Sequence, residues 1–262
     1  MENSDDLARP FFITTPIYYV NDLPHLGHAY TTVACDAMAR FMRLDGHPVR
    51  FLTGTDEHGQ KVEQSARAAK ISPRDFTDHN SAAFRAMNAL LDISQDDFVR
   101  TTEPRHISAV QALWRELERR GEIYLGRFAG WYSVRDEAFY DEGELVDGKA
   151  PTRAEVEWLE EDNYFFRLSA SQERLLEYYH ANPDAIAPRS RRNEVISFVR
   201  AGLNDLSISR TSFTWGIPVP GNSSHVIYVW LDALANYISA QSAIPTSINR
   251  ILRRFGLSIF TW

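Results

Sequence analysis

The sequence predicts an α/β protein built on a doubly wound parallel sheet, and three observations carry that prediction. Strand-like and helix-like runs alternate from Phe11 to Ala69 with short connections. Their turns hold the glycines, prolines and asparagines that punctuate such units. A stretch of different texture, Gly126 to Phe166, is dense in aromatics, glycines and acidic residues and reads as a β-rich insertion between helical segments.

The elements follow in order. Phe11 to Thr15 is a short apolar, β-branched run, and a loop with Pro16, Asn21, Asp22 and Pro24 follows it. A helical pattern begins near Gly27, where Ala29, Val33, Ala37 and Phe41 recur at four-residue spacing and predict the face turned to the core. Gly46 and Pro48 end it, and Val49 to Thr53 reads as a second buried strand. After the polar turn Gly54 to Gly59, Val62, Ala66 and Ala69 mark another helix. Pro73 to Arg120 is expected to be helix-rich, with stripes of Phe76, Phe84, Met87, Leu90 and Leu91, then Val110, Leu113 and Leu117. Helical patterning returns over Ser171 to His180 and Asn193 to Leu203. Val226 to Trp230 resembles a central strand, with a turn and helix over Leu231 to Ala240.

Composition narrows the function. The chain has 262 residues, 44% hydrophobic and 24% charged, the balance of a globular protein of one large domain or two modest ones. A formal net charge of −7 gives no general attraction for nucleic acid, so an RNA contact needs a local patch. Arg189, Arg191 and Arg192 form such a cluster, although clusters of this kind are usually solvated faces. The single cysteine, Cys35, excludes an internal disulfide and a cysteine-built zinc site, and its place on an apolar helix face suits packing better than catalysis. Met1 to Pro10 is acidic and polar, unlike a signal peptide, and no apolar run reaches membrane-spanning length, so a cytoplasmic location is expected.

The residues with most chemistry are Pro24-His25-Leu26-Gly27-His28, placed after a strand and opening a helix. A helix N-terminus presents free N–H groups that hold phosphates, and two imidazoles beside it can donate to a polyanion such as ATP. They would also stabilise charge that develops as pyrophosphate leaves. Gly27 lets a nucleotide approach the backbone closely. Taken alone, the same residues also describe two surface histidines at a helix start.

Their context is more specific. Thr14-Thr15-Pro16-Ile17-Tyr18-Tyr19-Val20-Asn21 followed by His25-Leu26-Gly27-His28-Ala29-Tyr30 resembles the HIGH signature of class I aminoacyl-tRNA synthetases in its methionyl version. Phe51 to Gly59, Asn163 to Phe166, Asp205 to Arg210, Trp215 to Pro218 and Tyr228 to Ala233 are similar to further blocks of that family, in order, from about Pro10 to Ala240. The resemblance implies an incomplete Rossmann-like fold. Residues 10–120 would be the first half of the catalytic domain, and 121–215 a connective insertion. Residues 216–240 would begin the second half, and 241–262 would be an aberrant tail of frameshifted origin, without a counterpart in the family.

The resemblance also implies roles. His25, Gly27 and His28 match the ATP-binding and catalytic positions. Ile17, Tyr19, Trp230, Ala233 and Tyr237 match the methionine pocket, and Asp56 matches the carboxylate that pairs with the substrate ammonium group. A polarizable thioether suits aromatic walls, and an ammonium needs a partner charge. Tyr19 and Tyr237 are equally readable as core aromatics, and Asp56 as a cap before the helix from Gln60. Lys61 and Arg210 would lend supporting charge. The implied substrates are L-methionine, ATP as its Mg2+ complex, and tRNA(Met), with no membrane partner.

Two departures qualify the resemblance. Where many members carry a zinc knuckle, this chain has Ser133, Asp136, Ala150 and Arg153, which cannot form a tetrahedral thiolate site, so no metal is expected. The family's Lys-Met-Ser-Lys-Ser loop and anticodon-binding domain have no match here, which predicts a truncated chain of impaired activity and poor solubility. A catalytically inert fragment and a small-molecule nucleotidyltransferase stay open as alternatives. The long insertion and the Trp230 to Tyr237 block speak against the second.

Overall fold

The computed structural model describes residues 10–136 and 138–240; the tail expected to depart from the family lies outside them. Strands β1 (Phe11–Thr14) and β2 (Tyr18–Tyr19) run along the same edge of β3 (Val49–Asp56), both parallel to it. The break between β1 and β2 falls at Pro16, which has no N–H to give the ladder. Helix α1 (Leu26–Leu44) links β2 to β3. Helices α2 (Gln60–Ala69) and α3 (Pro73–Leu90) link β3 to β4 (Asp97–Arg100), which pairs in parallel with the other edge of β3. The predicted parallel α/β unit is present.

Its centre is tight. A Cβ on Gly54 in β3 would sit 2.1 Å from the backbone oxygen of Val99 in β4, so only glycine fits there. Phe51 to Thr55 of β3 are buried, and Leu52 and Val99 form a small core with Ala240, against which Phe12, Ile17 and Tyr237 pack. A second core gathers Tyr18, Val20, Val62, Phe84 and Phe98, with Tyr19 and Trp215 packed against it.

Of three expectations, one is corrected and two are refined. The helix-rich stretch from Pro73 contains β4, whose four residues are too few to print a period of their own before α4 (Pro104–Arg119) begins. The apolar stripe on α1 does not face the sheet: Val33, Ala37 and Phe41 are exposed, while Thr32, Asp36 and Ala39 are buried. Polar bonds turn the helix this way, since the Tyr18 hydroxyl meets Thr32 Oγ1 at 2.7 Å and Asp36 accepts the Ser94 N–H at 2.7 Å. Third, the Val226 to Trp230 run is only in part a central strand: Val226 and Ile227 end the middle strand of a small antiparallel sheet, and a helix begins at Val229.

Beyond α4 the sheets are antiparallel. Strand β5 (Ile123–Ser133) pairs with β6 (Ala138–Tyr140) on one side and β7 (Glu157–Phe166) on the other, in the β-rich region the sequence predicts. Helices α5 (Gln172–Ala181) and α6 (Arg189–Ala201) follow, then the short β8 (Leu206–Ser207), which pairs with β7. Strands β9 (Ser209–Arg210), β10 (Pro218–Val219) and β11 (Asn222–Ile227) make a separate antiparallel sheet. β11 ends at Ile227, and α7 (Val229–Leu234) and α8 (Asn236–Ser239) come next. A core of Val110, Leu113, Trp114 and Leu117 from α4 with Ile208, Ile217 and Ile227 joins these parts. Among the described residues no helix is long and apolar enough to cross a membrane.

Candidate active site

In parallel α/β sheets ligands bind beyond the carboxyl ends of the strands. Here β2 and β3 end at Tyr19 and Asp56, which are register partners, and the Val20 N–H donates to the Asp56 carbonyl at 3.3 Å. Asp56 is therefore held beside Tyr19 by the ladder itself. Lys61, in the first turn of α2, lies 5.9 Å from the centroid of the Tyr19 ring.

His25 is the N-cap of α1, in extended backbone, and its Nδ1 accepts the Gly27 N–H at 3.1 Å. The Nδ1 of His28 accepts the His25 N–H at 3.0 Å. Both Nδ1 atoms are thus lone-pair acceptors, which fixes each neutral ring as the tautomer with its proton on Nε2. The rings lie 3.9 Å apart, centroid to centroid. Two N–H donors are prepared at a helix mouth, where the peptide dipoles also favour an anion. Tyr18 and Phe84 hold the His28 ring edge-on at 4.8 Å and 5.0 Å. Burial and the neighbouring His25 hold the His28 imidazole below its ordinary pKa, so that its Nδ1 stays a lone pair. Gly27 belongs to the same arrangement, since a Cβ there would lie 2.9 Å from His25 Cε1.

The other expected residues fall into two groups. Ile17 and Tyr237 pack against the same core of Leu52, Val99 and Ala240, which brings distant parts of the sequence together. Trp230 and Ala233 stand three positions apart on α7, and so share a face. The Trp230 ring is 61% exposed and stacks on Tyr228 at 6.3 Å. Arg210 lies on Tyr228 in turn, 4.2 Å from the centroid. Arg210 is buried and also donates to the Ser209 carbonyl at 2.7 Å and Ser207 Oγ at 2.9 Å, which makes it the base of this stack.

A buried junction was not foreseen from the sequence. The Asp232 carboxylate, fully buried, meets His58 Nδ1 at 2.6 Å through one oxygen and His106 Nε2 at 2.7 Å through the other. His58 sits two residues beyond Asp56, and Asp232 lies between Trp230 and Ala233. Both belonged to blocks that resemble the family, but nothing local in the sequence links them.

A family model described as tRNA synthetases class I (M) matches residues 11–157 and 143–251. The chain belongs to this family.

This class I synthetase chain is 64% identical over 235 residues to a methionine–tRNA ligase of Rickettsia bellii, covering 89% of this chain and 46% of that protein. Its structure is similar to that of Mycobacterium tuberculosis methionyl-tRNA synthetase bound by methionyl-adenylate, with TM-score 0.87 and 52% identity, over 93% of this chain and 50% of that one. Against the free form of the mycobacterial enzyme the TM-score is 0.76 at 50% identity, over 93% and 48% of the two chains. The chain spans about half the length of the relatives it matches.

At the four positions that the resemblance compares with a zinc knuckle, hydrogen bonds hold the loop. Ser133 Oγ accepts the Asp136 N–H at 3.2 Å, the Asp136 carboxylate takes the Tyr140 and Thr152 hydroxyls, and Arg153 N–H donates to the Ala150 carbonyl at 2.7 Å. Alanine and arginine offer a zinc ion nothing, so these residues do not fit one.

Proposed function

We propose that this chain supplies the amino-acid and nucleotide sites of a methionine-activating enzyme. In this reading residues 10–120 and 216–240 form the catalytic fold and 121–215 the insertion. The observation that carries it is that Tyr18, next to the Tyr19–Asp56 ladder position on β2, packs its ring edge-on against His28 of the α1 helix mouth at 4.8 Å.

ATP enters as its magnesium complex, with His25 and His28 donating from Nε2 to its phosphate oxygens at the start of α1. The ammonium group of methionine pairs with Asp56, and its thioether lies among Ile17, Tyr19, Trp230, Ala233 and Tyr237. A methionine carboxylate oxygen attacks the α-phosphorus, the bond from that phosphorus to the bridging oxygen breaks, and pyrophosphate leaves. The methionyl-adenylate formed then yields its acyl group to the terminal ribose of tRNA(Met), releasing AMP. No protein nucleophile is needed; positioning and charge stabilisation supply the rate. That agrees with Cys35, whose thiol burial pushes up and whose Sγ faces the Thr14 carbonyl at 3.7 Å.

Binding without turnover is the second reading, since each residue assigned above holds a substrate and none forms a bond to one. Methionine-dependent exchange of pyrophosphate into ATP separates the two. Exchange above background supports activation by this chain; binding of methionine and ATP without exchange supports the second reading. Failure to bind either ligand defeats both.

A further inference from the structure

Burying a carboxylate costs several kcal/mol unless its partners are well placed, and an apolar residue of the same size would pack a short helix about as well. Asp232 is nonetheless fully enclosed, with one imidazole on each oxygen. The two imidazoles come from different places: His58 from the loop after β3, His106 from α4. The other nitrogen of His106 meets Ser239 Oγ on α8 at 2.8 Å. A six-residue helix without a side-chain cap, such as α7, has little orientation of its own. Two directional bonds to opposite oxygens fix both its position and its rotation. The residues so fixed flank the expected substrate wall, since Trp230 lies two positions before Asp232 and Ala233 directly after it, and Tyr237 lies two positions before Ser239.

We propose that Asp232 is a positioning residue: through His58 it fixes the aromatic wall of Trp230, Ala233 and Tyr237 relative to Asp56, and so sets affinity for the amino acid without touching it. The inference rests on the methionine-activating reading. It separates the amino-acid site from the nucleotide site, because His25 and His28 are held by their own backbone bonds and by Tyr18 and Phe84, outside this junction.

The test uses the full chain and three variants. Asp232→Leu keeps the volume and removes both acceptors; His58→Ala removes one arm; His58→Asn returns an amide N–H to the place of Nδ1–H. Equilibrium dialysis with labelled methionine and with ATP is expected to show methionine Kd raised about tenfold or more in the first two, with the third within about threefold of wild type. ATP Kd is expected to stay within about twofold in all three. Equal losses for both ligands, or no loss for methionine, would overturn the proposal. Amide hydrogen exchange over residues 229–240 without ligand gives an independent measure: faster exchange in Asp232→Leu and His58→Ala, with protection restored in His58→Asn, is expected. If wild type binds no methionine, the activation reading falls by that result alone. Unchanged protection in His58→Ala would then show that Asp232 locks nothing. Should Asp232→Leu fail to fold, the His58 pair decides.

Discussion

His28 Nδ1 accepts the backbone N–H of His25 at 3.0 Å, so the first turn of α1 is closed by the same side chain that carries a donor N–H at Nε2. Structure and chemistry share one ring there, and substitutions can separate them.

His28→Asn keeps an acceptor at the position of Nδ1 and deletes the Nε2 donor. It should leave stability within about 1 kcal/mol of wild type. Pyrophosphate exchange should drop about a hundredfold, the scale for one donor to a developing anion. His28→Ala should in addition lose about 0.5–2 kcal/mol of stability with the cap. Thermal denaturation beside exchange assays checks both.

Gly27→Ala sets two effects against each other. Alanine in a helix gains about 0.5–1 kcal/mol over glycine, but its Cβ would press on His25 Cε1 at 2.9 Å and turn the ring out of its bond to the Gly27 N–H. The melting temperature should hardly move, while ATP affinity falls about tenfold with the misplaced donor. Calorimetry with ATP, compared with a melt, reads the two separately.

The lowered pKa of His28 gives a pH dependence of known sign. The unfolded chain takes up this proton more readily than the folded one, so acid favours unfolding. Stability is complete above the unfolded value of 6.5, declines as pH falls through it, and levels off below the folded pKa. His225, lowered by burial as well, shares the window. The comparison is therefore wild type against His28→Asn in urea melts between pH 7.5 and pH 5, at about half-unit steps. The wild type should lose more stability than the variant over that range, and equal losses would remove His28 as the cause.

Arg100 tests the packing behind the site. It holds the fully buried Glu57 at 2.6 Å and 2.9 Å and reaches Asp78 at 2.5 Å. Arg100→Ala leaves the buried carboxylate with the Thr55 and Thr102 hydroxyls but no opposite charge, at a cost of about 3–5 kcal/mol. Denaturant melts should show the midpoint shifted accordingly, with soluble yield reduced.

What the sequence made legible was local. The β1–loop–α1 start, with histidines at the helix mouth and Asp56 ahead of the helix from Gln60, follows from apolar periodicity and turn residues within a few positions. The shared core on which Ile17 and Tyr237 pack and the Asp232 junction join residues far apart along the chain, and no period carries that information. β4 was hidden because four residues between two helices cannot establish alternation. β11 was legible in part: the buried run His225 to Val229 marks the middle strand of a sheet, but the strand stops at Ile227, and Gly221 turns β10 back onto it as an antiparallel hairpin. The α1 stripe misled because polar bonds from Thr32 and Asp36, rather than greasy contacts, orient that helix.

That orientation also governs how copies of the polypeptide meet. Leu26, Tyr30, Phe41 and Leu44 stand out from α1 as an oily ridge. A charge of −7 keeps molecules apart only over the Debye length, about 8 Å at physiological salt and about 3 Å at 1 M. Added salt should therefore draw chains together through the ridge where it would disperse an ionic aggregate, and light scattering along a salt series would record the difference.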